Sequence, residues 1–284
     1  MLGNWRWGGS RRVWAGRTVV AGAAMLAVVG GLQLPASAAT SPYTSGSKGF
    51  DVSYPQCSLT SYAGSGLGTG FAMVGVGDGR PFTSSPCAGA ELAAAQTYLS
   101  SSGSSGLVGA YFNTGYAGAY AKSIDQTSCG AYANQTTTGA TGSPHAVKSE
   151  DQAWAIGCSE AYYAEKEVTA LGVKPATWWA DIETGNSWST NTALNYYTVK
   201  GMFWLAQNPS IRVTMGAYSN PSAWDKILGS YATSSDLGIQ GDWQSLAGIC
   251  QTSNGFSNSP LWVSQSGTTT VGSTSTSVDN DYGC

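Results

Sequence analysis

The chain has 284 residues, of which 42% are hydrophobic and 10% charged, with 38 Gly and a formal net charge of −3. That length and apolar content suit one large α/β domain as well as two small ones, and the mild acidity excludes binding nucleic acid or an anionic membrane through bulk charge. Residues 1–38 read as an export signal and are set aside from the fold. Arg6, Arg11, Arg12 and Arg17 form its basic start, residues 18–34 its apolar run, and Ala36-Ser37-Ala38 its cleavage site. Ser10-Arg11-Arg12-Val13-Trp14 also fits a twin-arginine signal, so both the Sec and the Tat route are open. That segment holds four Arg and no acid. Without it 246 residues remain (284 minus 38), with 9 Lys+Arg against 16 Asp+Glu, a net charge of −7. No later segment is long and apolar enough to span a bilayer. The expectation is a secreted monomer with no nucleic-acid partner and, after signal cleavage, no membrane partner.

All six cysteines, Cys57, Cys87, Cys129, Cys158, Cys250 and Cys284, lie beyond the signal. An even count in an oxidising compartment implies disulfides, and six cysteines allow fifteen pairings. Pairing in sequence order, Cys57–Cys87, Cys129–Cys158 and Cys250–Cys284, is the expectation. No C-x-x-C occurs, so no cysteine zinc site is expected.

Residues 39–47 form a Ser/Thr/Gly leader expected to be flexible. Residues 48–53, Lys-Gly-Phe-Asp-Val-Ser, read as the first strand and carry Asp51. The apolar run at 71–76 is the second strand. The turn after it, Gly77-Asp78-Gly79-Arg80-Pro81, has the glycine spacing of neither a dinucleotide nor a P-loop site. Ser85-Pro86 opens a helix over 88–99. Residues 107–112 are the third strand. The Gly-, Ala-, Thr- and Tyr-rich stretch 113–148 is a long insertion that Cys129–Cys158 would pin. Ser149-Glu150-Asp151-Gln152 is a capping box opening a helix to about residue 171.

The fourth strand, within 176–186, is where chemistry concentrates. An apolar run ends in Asp181-Ile182-Glu183. Side chains two apart on a strand share a face, so Asp181 and Glu183 project side by side. Burying a carboxylate is costly, and acid–base chemistry or a metal is the functional reason for it. A structural Asp-x-Glu satisfied by backbone N–H groups is the bland one. Trp178, Trp179 and Trp188 flank the pair and suit sugar rings. A helix at 190–207, a strand at 212–218, a short helix from Asn220-Pro221 to about Gly229, and strands at 237–243, 261–265 and 278–282 complete the chain. The pattern predicts an α/β fold: one TIM-like barrel over 48–284, with about eight mostly parallel strands and little helix in the last three units.

In this order the motifs resemble the glycoside hydrolase family 25 lysozymes (N-acetylmuramidases). Gly49-Phe50-Asp51-Val52-Ser53 resembles that family's first strand, Gly109-Ala110-Tyr111 its third and Ala180-Asp181-Ile182-Glu183 its fourth. Gly216-Ala217-Tyr218-Ser219 resembles its fifth, Trp262 and Gln265 its W-x-x-Q-Y, and Val278-Asp279-Asn280 its terminal V-D-L-N. The resemblance implies five β/α units followed by three strands. It also implies cleavage of the β-1,4 bond between N-acetylmuramic acid and N-acetylglucosamine, and so a bacterial cell-wall glycan as partner. In that family the counterpart of Glu183 is the general acid, that of Asp181 handles the acetamido group, and those of Asp51 and Asp279 complete an acidic pocket. The chain departs from the family at Gly75 and Asp78, which stand for a Lys and a Glu, at Ser266, which stands for an aromatic, and at the second acid Asp281.

Crowded carboxylates raise each other's pKa, so Glu183 is expected to stay protonated and Asp181 ionised. Asp181 would orient a 2-acetamido group attacking the anomeric carbon. Water attack through Asp279 or Asp51 is the inverting alternative. Tyr54, Tyr111, Trp179, Tyr218, Trp243 and Gln265 are the expected sugar-holding residues. No cofactor or metal is expected, although four acids supply the oxygen ligands that Ca²⁺ or Mg²⁺ takes. His145 is the only histidine and no G-x-S-x-G occurs, so a His-based triad lacks material. The second class of function is a catalytically silent cell-wall- or glycan-binding barrel, and a third is hydrolysis of another amino-sugar polymer such as chitin.

Overall fold

The computed structural model describes residues 40–130, 148–208, 211–245, 248–272 and 276–284. Residues 1–38, where an export signal was expected, His145 and the second half of the insertion lie outside them. Eight strands close into one barrel in chain order. They are β1 Lys48–Val52, β2 Phe71–Gly75, β3 Leu107–Asn113, β4 Trp178–Asp181, β5 Met215–Ser219, β6 Asp242–Ser245, β7 Leu261–Val271 and β8 Thr276–Gly283. Strands β1 to β7 pair in parallel, and β8 runs antiparallel to both β7 and β1. The helices are α1 Ala88–Ser101, α2 Lys148–Ala170, α3 Thr192–Gln207 and α4 Pro221–Leu228. Asn220 caps α4 by accepting the Ala223 N–H, with Pro221 in the first turn. Among the described residues no α-helix follows α4, so the last three strands are helix-poor, as predicted.

Alternation along each strand builds two apolar layers. Phe50, Val52, Val74, Phe112, Trp178 and Ala217 face outward into the core shared with the helices. Phe71, Met73, Trp179, Trp243 and Trp262 fill the barrel interior. Inward glycines make room for the rings: a Cβ at Gly49, Gly216 or Gly241 would strike Phe71, Trp179 or Trp262 respectively. Each such ring contributes about 1.5–3 kcal/mol by leaving water.

Three segments differ from the sequence reading. Within residues 40–47, expected to be flexible, Tyr43 is an anchor while most of its neighbours are exposed. Tyr43 is 5% exposed, its hydroxyl lies 2.6 Å from Thr177 Oγ1, and Trp179 Nε1 donates to it at 3.2 Å. Gly46 and Gly283 N–H groups donate to Gly283 O and Ser47 O, sealing the end of the barrel opposite the mouth. Strand β6 starts at Asp242 rather than 237, because Gly238 turns the chain at φ +79° and Leu237 packs into the outer core. Strand β7 runs to Val271 rather than 265, because its threonine-rich end pairs with β8 as a hairpin.

The disulfides pair in sequence order, as expected. Cys57–Cys87 ties the turn after β1 to the start of α1, Cys129–Cys158 ties residues 126–130 to α2, and Cys250–Cys284 ties the segment after β6 to Cys284. Sequence separations of 30, 29 and 34 residues correspond to about 3–4 kcal/mol each in the loop-entropy account. Such bonds persist in an oxidising compartment. No described helix is long and apolar enough to cross a membrane.

Candidate active site

The inward faces that carry aromatic rings low in the barrel carry acids at its mouth. Asp51 is the penultimate residue of β1, Asp181 the last of β4, and Glu183 lies two residues beyond. Asp279 arrives differently from the sequence reading, which put it at a strand's C-terminal end. It sits on β8, which enters from the opposite direction, and it reaches the same mouth by pairing with Asp51. The four acids line one pocket of about 280 Å³, together with Tyr54, Tyr111, Tyr218, Trp243 and Gln265. Among the described residues no Lys or Arg lines it.

The tryptophans around the acid pair are placed otherwise than expected. Trp179 is fully buried beneath the pocket, and Trp178 points outward into the helix layer. Trp188 donates its indole N–H to Glu183 O at 2.8 Å, bracing the loop that carries the acid. Tyr54, half exposed at the rim, is the freest aromatic face.

Asp181 is 5% exposed. Its Oδ2 accepts Asn113 Nδ2 at 2.6 Å, and its backbone carbonyl accepts Asn186 Nδ2 and Thr114 Oγ1. Its Oδ1 is buried with no donor. Burial, and then the neighbouring Glu183, push this carboxyl well above the usual carboxylate range. Glu183 is less buried. Burial, followed by the charge of Asp279, raises its pKa.

On the other side Gln265 Nε2 donates to Asp51 Oδ2 at 2.8 Å, and Tyr218 OH donates to Gln265 Oε1 at 2.8 Å. Below them lies Asp281, fully buried, with Trp243 Nε1 donating to its Oδ1 at 2.9 Å. The Asp281 and Asp51 carboxyls face each other and can hydrogen-bond only by sharing a proton. Burial, then the charge of Asp279, pushes Asp51 up to about 7. Sequence reasoning noted Asp281 only as a departure and passed over Asn113. The signal for both was parity: Asp281 is two residues from Asp279, and Asn113 is paired in register with Asp181. At Gly75, where the family pattern has Lys, a Cβ would meet Ser53 and the Tyr111 ring, so the aromatic takes that space.

Asp242, outside the pocket, accepts from Ser257 N and Oγ and is pushed up to about 7 by burial, as is Glu91. Asp51, Asp242 and Glu91 thus hold protons more tightly folded than unfolded. Their contribution to stability is complete below about pH 4 and is lost as pH rises through about 7. Even with the shifts discounted by half, the melting temperature should fall by on the order of 10 °C between about pH 5 and about pH 8. Scanning calorimetry across that range checks it, and a melting temperature that rises contradicts it.

No protein-family model matches the chain, and no curated protein sequence matches it significantly. Solved structures do resemble it in fold. A bacterial lysozyme from Streptomyces coelicolor is 17% identical over 84% of this chain and 93% of that one, with a TM-score of 0.49. A muramidase from Trichobolus zukalii is 14% identical over 82% and 92%, with a TM-score of 0.48. A Tat-secreted protein of Mycobacterium tuberculosis, in complex with L-tartrate, is 13% identical over 84% and 95%, with a TM-score of 0.43. These likenesses are too distant to speak for chemistry. What the mouth does follows from its own residues.

Proposed function

We propose that the protein is a secreted, monomeric glycoside hydrolase that cleaves β-1,4 bonds in the glycan of peptidoglycan. Glu183 is the general acid and Asp181 the acetamido-orienting carboxyl. The observation that carries this reading is the pair itself. Two carboxyls with raised pKa share an aromatic-lined mouth, and the deeper one offers a buried oxygen with no donor. The ordered motifs shared with family 25 lysozymes support it.

Glu183, whose protonated form burial and then Asp279 favour, gives its proton to the leaving glycosidic oxygen. A substrate 2-acetamido N–H supplies the donor that Asp181 Oδ1 lacks. That contact favours the ionised form of Asp181 and aims the acetamido oxygen at the anomeric carbon. The oxygen attacks as the leaving group departs. Water, deprotonated by the Glu183 carboxylate, then opens the intermediate. Gln265 and Asp281 hold Asp51 as part of the floor, and Tyr54, Tyr111 and Tyr218 give the sugars apolar faces with polar tips.

Incubating purified protein with bacterial peptidoglycan and sequencing the released fragments by mass spectrometry tests this. Muramyl reducing ends are expected. Retention on the wall with no new ends supports a silent binding barrel instead, and cleavage of chitin alone moves the substrate to another amino-sugar polymer.

A further inference from the structure

Glu91 plays no part in this mouth, yet it is the least conventionally placed acid in the described chain. It stands in the first turn of α1, where a carboxylate ordinarily meets water and exposed N–H groups. Here it is 1% exposed, and neither carboxyl oxygen has a hydrogen-bond partner. What it faces is a disulfide: one of its oxygens and the sulfurs of Cys57 and Cys87 all lie within 4.8 Å of one another. Tyr62, also buried and with an unpartnered hydroxyl, is the other titratable group acting with it, and among the described residues no cation offsets its charge. A neutral carboxylic acid is the form such a site tolerates.

The disulfide is built to open in one direction. Cys57 and Cys87 are partly exposed, as are Cys250 and Cys284, whereas Cys129 and Cys158 are fully buried, so what sets Cys57–Cys87 apart is the carboxyl beside it and the helix start that carries one of its sulfurs. Cys87 is the N-cap of the 14-residue α1, where a thiolate is stabilised, and Ser85 Oγ lies 3.2 Å from its sulfur. Cys57 is thus the sulfur to attack and Cys87 the sulfur to leave.

We propose that Cys57–Cys87 is an exchangeable disulfide, opened by small dithiols, with Glu91 as its proton donor. A thiolate of the external dithiol attacks Cys57 Sγ and forms a mixed disulfide. The bond between the protein sulfurs breaks, its electron pair leaves on Cys87 Sγ, and that sulfur takes the Glu91 proton. The second thiol of the reagent loses its proton and attacks the mixed disulfide, releasing Cys57, which is protonated from solvent. The dithiol ends as a disulfide, the protein has gained two electrons and two protons, and Glu91 is reprotonated from solvent. None of this depends on the glycosidase reading.

The test treats the folded full chain with dithiothreitol, quenches by alkylation, and maps each cysteine by mass spectrometry between about pH 5.5 and about pH 8.5. Cys57 and Cys87 should be alkylated at least about tenfold faster than the other four. Glu91→Gln should slow opening about tenfold below pH 7 and remove the inflection near 7 that remains after correction for the reagent's own ionisation. Opening of all three disulfides together overturns the proposal from the wild type alone, whether or not the variant folds. An unchanged rate and pH profile in a folded Glu91→Gln protein overturns the role of Glu91.

Discussion

Glu183→Gln should slow glycan cleavage by roughly 10³-fold while leaving the melting temperature unchanged. Glutamine keeps the size of the side chain and its reach into the mouth but has no acidic proton. Stability should survive because the brace on this segment is a backbone contact, Trp188 Nε1 to Glu183 O, which the substitution does not touch. Among the described residues no donor is left stranded either, since none hydrogen-bonds the Glu183 carboxyl. Reducing-end assays beside calorimetry separate the two effects. A variant retaining more than about a tenth of wild-type rate takes the general-acid role away from Glu183.

Gly157→Ala should lower the melting temperature by about 10 °C, for a cost of about 3 kcal/mol. Helices α2 and α3 cross with their backbones in contact. A Cβ at Gly157 would strike the Thr198 carbonyl, and one at Gly201 would strike that of Trp154. The obstacle on both sides is main chain, which cannot rotate away as a side chain does. The helices must separate, and the disulfide Cys129–Cys158, anchored one residue from Gly157, resists that. Thermal unfolding of the variant within about 2 °C of wild type would falsify the claim that this crossing is filled to its limit.

These two cases mark what the sequence could and could not carry. The first half of the barrel was readable because β2, β3 and β4 are short apolar runs, whereas β6, β7 and β8 carry polar residues along their length and their bounds were not. Asp181 was readable from alternation along β4, and Glu183, two residues past the end of that strand, lines the same mouth. The same alternation, followed further, puts Trp179 on the face of Asp181 but one layer deeper, inside the packed interior. It cannot be a surface for sugars, and Trp178, of opposite parity, faces the helices. Asp281 lies one layer below Asp279 by the same logic. Parity along a strand says which face a side chain takes, while depth comes from register, and register needs the partner strand. Tyr43 was hidden for a different reason: a single aromatic in a Ser/Gly segment changes its composition little, yet it anchors the segment through three contacts. Gly157 was hidden because an amphipathic pattern shows that a helix packs, not where two backbones touch.

The central claim is that acids distant in the chain meet at one mouth where Glu183 hands over a proton. The most direct measurement compares wild type and Glu183→Gln on two β-linked N-acetylmuramyl substrates with matched glycones. One releases a sugar alcohol, which needs protonation, and the other a dinitrophenolate, which does not. In kcat/KM, which reports the steps up to departure of the leaving group, the account predicts a loss of roughly 10³-fold on the first and little loss on the second, while kcat falls on both because Glu183 also serves as the base toward water. Equal losses of kcat/KM on both substrates would contradict it, because the group removed would then not be the one that protonates the departing oxygen.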